Sequence, residues 1–126
     1  MYYILVGVGG AFGAVMRALL MQAFPISIFK MPLQVVMVNV LGSFLAGLCV
    51  VVLPVFFSNY RLNDLILVGF LGGFTTFSAF SIDLGRLYEK QLYVQALIYI
   101  MVSICFSLIA FWGGTRLVHF CLGDEV

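Results

Sequence analysis

Four apolar stretches, each long enough to cross a bilayer, set the limits on what this chain can become. A helix that spans about 30 Å of hydrocarbon needs roughly 20 predominantly apolar residues. The stretches cover about 2–24, 33–57, 65–84 and 92–117. Every gap between them holds charge, proline or asparagine. Pro25 ends the first, and Met31-Pro32 leads into the second. Ser58-Asn59-Tyr60-Arg61-Leu62-Asn63-Asp64 separates the second from the third, and Arg86-Leu87-Tyr88-Glu89-Lys90 separates the third from the fourth. Composition points the same way: 64% of the 126 residues are hydrophobic and 9% are charged, against about 25% charged in a soluble domain. That is too little polar material to cover a globule in water. The expected fold is an all-α membrane protein, one four-helix transmembrane domain over residues 1–126, with no internal repeat and no room for a soluble domain.

Other classes fall away on the same evidence. The first stretch has no basic segment before it, since Met1-Tyr2-Tyr3 runs straight into Ile4-Leu5-Val6, so it reads as a retained span rather than a signal peptide. A net charge of +1 gives no basic field for nucleic acid. Cys49, Cys105 and Cys121 are widely spaced and odd in number, which suits apolar packing better than a disulfide framework or a zinc motif. His119 is solitary, and no nucleophile–base pair or metal cluster is visible, so an enzyme is not expected.

Loop charge gives almost no orientation signal. With four spans, Arg61 and Arg116 share the side of the termini, while Lys30, Arg86 and Lys90 lie opposite. Two readings stand: a counting window too small to decide, or a chain that inserts both ways up so that two copies pair antiparallel.

Polar groups inside the spans are the functional clues, because hydrocarbon tolerates them only where they face protein or water. The first span carries small residues at Gly10, Gly13 and Ala14, a smooth stripe for another helix, with Arg17 one turn further on. Arg17 has two readings, snorkelling to the interface or marking an anion vestibule. The second span sets Asn39, Gly42, Ser43, Ala46 and Gly47 on one face. The fourth sets Tyr99, Ser103 and Ser107 at four-residue steps. Serines so placed can also satisfy themselves on the preceding turn.

The third span is the most informative. It reads Gly69-Phe70-Leu71-Gly72-Gly73-Phe74-Thr75-Thr76-Phe77-Ser78-Ala79-Phe80-Ser81-Ile82-Asp83. Paired glycines followed by β-branched threonines make a poor mid-membrane helix, so a break near the midplane is expected. Backbone groups freed there must be buried in protein or hold an ion. Phe77 and Phe80, three apart, send their rings to one side, and Thr76 and Ser81 set hydroxyls beside them. Ring edges are electropositive. With Ser, Thr and Asn donors they suit a small, strongly hydrated anion, whereas a fixed cation would bind it too tightly to pass. Ordinary packing of a Phe-x-x-Phe pair is the alternative.

This fifteen-residue string resembles the signature of the Fluc (CrcB) fluoride channels, Gly-x-x-Gly-Gly-x-Thr-Thr-Phe-Ser-Thr-Phe-Ser-x-Glu. The likeness extends to Gly9-Gly10-Ala11-Phe12-Gly13-Ala14-Val15-Met16-Arg17 in the first span and to Asn39-Val40-Leu41-Gly42-Ser43 in the second. The resemblance implies an antiparallel, dual-topology homodimer in the bacterial plasma (inner) membrane, with two fluoride pores. It implies that Asn39, Thr76, Phe77, Phe80 and Ser81 line a pore, and that Ser103 and Ser107 belong to its helix-four side. It implies a structural Na+ at the dimer centre held by the carbonyls of Gly72 and Thr75, and a vestibule role for Arg17. The implied activity is passive efflux: neutral HF enters, dissociates in the cytoplasm, and fluoride leaves as the anion. The implied partners are fluoride, a second copy and lipid, with no nucleic acid.

Three positions depart from the family pattern. Ala79 stands for a Thr or Ser, Asp83 for a Glu, and Val35 for a frequent Thr. A competing function is a proton-coupled small four-helix exporter. Such a protein needs a membrane-embedded carboxylate, yet spans one, two and four have no internal Asp or Glu and Asp83 sits at the far end of span three. A non-transporting helper subunit is a third reading.

Overall fold

The computed structural model describes residues 2–57 and 60–123. Ser58 and Asn59, which open the polar loop, lie outside the described residues. Four helical spans are long and apolar enough to cross a membrane: Tyr2–Ala23, Gln34–Phe56, Arg61–Glu89 and Tyr93–Leu122.

Helix α1 is Tyr2–Ala23 and α2 is Gln34–Phe56. Between them lies a small antiparallel hairpin, β1 (Ser27–Ile28) and β2 (Met31–Pro32), with Ser27 opposite Pro32. Its turn residues, Phe29 and Lys30, have φ of 50° and 66°. A two-residue hairpin needs this left-handed pair to match strand twist, and Asn-Gly usually supplies it.

The third span is composite. It starts as α3 (Tyr60–Asp64), widens into a π-helical segment (Leu65–Leu71), tightens again in α4 (Gly72–Phe74), and resumes after two residues as α5 (Phe77–Glu89). Helix α6, Tyr93–Leu122, completes the bundle. The third and fourth spans extend past their apolar stretches, to Arg61–Glu89 and Tyr93–Leu122. The added turns take in polar residues such as Arg61, Asp64, Arg86 and His119.

Packing follows the small residues. Helix α2 runs along α6, and α1 lies against the π segment and α4. In lipid the hydrophobic effect gives no drive for helices to associate, so close backbone approach does the work. A Cβ on Gly47 would strike the Phe111 carbonyl, and one on Gly114 the Phe44 carbonyl. Across the other pair, a Cβ on Gly13 would strike the Phe70 carbonyl. The apolar core gathers Met31, Val35, Val36, Phe80, Leu87, Ala96 and Tyr99, while much of α1 and α6 turns large apolar side chains outward.

Neighbouring glycines on α6 give a matched test. Gly114→Ala should lower stability by about 1–3 kcal/mol through overpacking. Gly113→Ala meets no atom within 4 Å and should be neutral or stabilising by about 0.5–1 kcal/mol. Thermal unfolding of the two variants in the same detergent reads both signs.

Candidate functional site

Helical geometry stops at Phe74 because the next two residues are extended: Thr75 has φ −78° and ψ 155°, and Thr76 has φ −150° and ψ 119°. In an unbroken helix the Thr76 amide would donate to the Gly72 carbonyl, and the Ala79 amide to the Thr75 carbonyl. Here both amides go elsewhere. Thr76 N–H donates to Asn39 Oδ1 at 2.8 Å, and Asn39 Nδ2 donates back to the Thr76 carbonyl at 3.0 Å. Ala79 N–H donates to Thr76 Oγ1 at 3.2 Å, which makes Thr76 the N-cap of α5. The carbonyls of Gly72 and Thr75 thereby lose the amides that a continuous helix would give them.

A cavity of about 330 Å³ opens beside the interruption. Asn39 and Ser43 of α2, Thr75 and Thr76 of the extended link, Phe77 and Phe80 of α5, and Ser103, Ile104, Ser107 and Leu108 of α6 line it. Six residues singled out from sequence therefore meet in one place: Asn39, Thr76, Phe77, Phe80, Ser103 and Ser107. Ser81 is not in this lining; it is exposed and donates to the Phe77 carbonyl at 3.0 Å. Gly72 and Thr75 both line an adjoining cavity of about 360 Å³, which also touches Ser43 and Ser107. Arg17 is half-buried on α1, outside both linings, and forms no ion pair among the described residues.

The two phenylalanines have different surroundings. Their ring centroids are 5.4 Å apart with a 36° tilt. Phe77 is 78% exposed on this chain, whereas Phe80 is 7% exposed. Phe80 stacks on Tyr99 at 5.4 Å and 9°. Tyr99, the first rung of the hydroxyl ladder, is fully buried outside the cavity lining. Its hydroxyl donates to Asp83 Oδ2 at 3.2 Å, and Arg86 Nη1 lies 3.4 Å from Asp83 Oδ1.

Residues 4–115 match the family model described as CrcB-like protein, Camphor Resistance (CrcB). This chain belongs to the CrcB family. Among its relatives is a protein called fluoride-specific ion channel FluC from Francisella tularensis subsp. tularensis (strain SCHU S4 / Schu 4), 42% identical over 124 residues, covering 91% of this chain and 92% of the relative. Another, fluoride-specific ion channel FluC 1 from Staphylococcus aureus (strain NCTC 8325 / PS 47), is 33% identical over 118 residues, covering 93% and 96%. With four spanning helices and relatives of this kind, the CrcB chain is a multi-pass protein of a bacterial membrane.

Counting protons shows what this CrcB cavity can offer. The Thr75 hydroxyl is spent on the Leu71 carbonyl at 2.9 Å, and that of Ser81 on Phe77. Thr76 Oγ1 shares a 3.1 Å contact with Ser78 Oγ. Asn39 keeps one of its two amide hydrogens, because Nδ2 carries two and the Thr76 carbonyl takes one. Ser103 Oγ is buried without a partner among the described residues, a state that costs about 1–3 kcal/mol unless something binds there. The cavity lining thus holds neutral amide, hydroxyl and phenyl groups, with no Lys or Arg. Ser43, half-buried and one turn past Asn39, joins this set; its four-residue spacing from Asn39 already places it on that face.

Below the Phe80 ring the polar contacts are structural. Tyr99→Phe should cost about 1–3 kcal/mol by leaving the buried Asp83 carboxylate short of a donor, read as a lowered unfolding temperature in detergent.

Proposed function

We propose that this chain is a fluoride-selective channel that lets fluoride leave the cytoplasm passively and so lowers cellular fluoride. The observation that carries the reading is the meeting of Asn39, Thr76, Phe77, Phe80, Ser103 and Ser107 around one cavity whose lining holds no cationic side chain. Fluoride gives up its water only where donors replace it, and it moves on only where no full charge traps it. Ser103, Ser107 and the spare Asn39 N–H supply donors, and the rims of Phe77 and Phe80 supply weak positive edges. The Ser81 hydroxyl is donated to the Phe77 carbonyl and so carries the smaller share, whereas Thr76 Oγ1 accepts from Ala79 N–H and keeps its own hydrogen for Ser78 or the anion. Arg17, on α1 away from the cavity, is assigned to a vestibule that draws anions in.

The extended link at Thr75–Thr76 is read as a break of the third span near the bilayer midplane. A second, antiparallel copy completes the site. Two features support this: the near-even loop charge, and the exposure of Phe77, which leaves the cavity open on one side. A structural Na+ between the copies fits the donor set. The carbonyls of Gly72 and Thr75 have been relieved of their helical amides, and oxygen donors suit a hard cation. Two carbonyls from each chain would hold the ion, which when bound supplies positive charge that ties the two interruptions together.

The proton-coupled exporter would have to work through Asp83, which is buried but tied to Arg86 and Tyr99. Proteoliposomes loaded with fluoride and chloride separate the readings. Fluoride should leave rapidly once an ionophore relieves the voltage, while chloride stays, with no proton gradient imposed. Equal loss of both halides sinks the selective channel, and a requirement for a proton gradient favours the exporter. Phe80→Ile should cut fluoride flux by about tenfold or more, a barrier change of roughly 1.4 kcal/mol, with the dimer intact by size-exclusion chromatography.

A further inference from the structure

We infer that Asn39 works mainly as a positioning residue, a side-chain clamp on the Thr76 peptide that fixes the start of α5 and shields an anion from the Thr76 carbonyl. The clamp is reciprocal, with the Asn39 amide accepting from Thr76 N–H at 2.8 Å and donating to its carbonyl at 3.0 Å. This is the pairing that a neighbouring strand would give an extended residue. It comes from α2, thirty-seven residues away in sequence.

Three consequences follow from that geometry. The clamp takes the amide that would otherwise rebuild the Thr76-to-Gly72 helical bond, so it holds the interruption open. It also fixes the plane of the peptide from which Phe77 departs, and Phe77 lies on the cavity with little else to hold it: its ring is 78% exposed on this chain, and among the described residues its one ring partner is Phe80. Finally, it gives a hydrogen bond to the carbonyl oxygen of Thr76, a residue lining the cavity assigned to an anion. Left bare, that oxygen would present negative charge to the permeating ion.

The inference rests on the channel reading only for its flux consequence, so the decisive readouts are taken without fluoride or transport. The protein carries 4-fluorophenylalanine at position 77 and is examined by 19F NMR in fluoride-free buffer. Amide exchange of the peptide containing Thr76 is followed by mass spectrometry. The variants are Asn39→Ala and the near-isosteric Asn39→Leu, which removes both the acceptor and the donor. Both should shift or broaden the ring-77 signal and speed Thr76 exchange by about fivefold or more, the equivalent of one lost hydrogen bond. Phe80→Ile, which leaves the clamp untouched, should leave Thr76 exchange at the parent rate. If either Asn39 variant is folded and its ring signal and exchange match the parent, the clamp is wrong, and any loss of flux then marks Asn39 as a direct ligand alone. If Asn39→Ala does not fold, Asn39→Leu decides by the same two readouts. A failure of the channel reading would show separately, as chloride leaving with fluoride in the parent protein.

Discussion

A peptide group at membrane depth has no water to bond to, so each amide and carbonyl must find its partner within the protein. Most of this chain meets that demand by remaining helical. At Thr75–Thr76 helical geometry lapses, and the fold depends on how the amides released there are partnered. The side chain of Asn39 serves both ends of the Thr76 peptide, and the hydroxyl of Thr76 serves the amide of Ala79. These few bonds, each worth about a kilocalorie net but several times that if left unmade in hydrocarbon, allow two helical segments to meet end to end without a loop. The cavity lies where they meet.

The chemistry of that cavity is one of restraint. A membrane protein that handles a small anion is under two opposing demands, to replace the hydration shell and not to hold the ion. Hydroxyls, one amide hydrogen and ring edges are graded donors that can be shared along a path, whereas a guanidinium would bind the ion as a fixed counter-charge. The buried Asp83 carboxylate pairs with the exposed Arg86 and accepts from Tyr99 instead of lining the cavity.

Much of this could be read from residue order alone, for physical reasons. Hydropathy locates spans because lipid is intolerant of charge, and four helices of spanning length are present. Gly72-Gly73 followed by Thr75-Thr76 pointed to weak helix because propensity acts locally. The meeting of Asn39 with Thr76, Phe77 and Phe80 was less accessible, since spacing arranges residues on one helix and says nothing of how two helices face each other. The family likeness supplied that link. Two features carried no local signal. The π-helical turn over Leu65–Leu71 has an ordinary apolar sequence and is set by how Gly69 nests against Val6 and Gly9 of α1. Tyr99 looked like a third hydroxyl of one ladder, but its ring is drawn under Phe80 and its hydroxyl toward Asp83. Side-chain length, which periodicity ignores, made the difference.

The glycine contacts between α2 and α6 have a mechanical implication. Where two backbones touch at Gly47 and Gly114, neither helix can roll or slide by a fraction of a turn without driving a carbonyl into its neighbour. The cavity walls that these helices contribute, Asn39 and Ser43 on one and Ser103 and Ser107 on the other, are therefore braced like two beams bolted at a single joint. Their separation is set by that contact when the bundle assembles. On the channel reading, a larger halide would meet the same spacing as a smaller one, so stiffness itself would become a means of choosing.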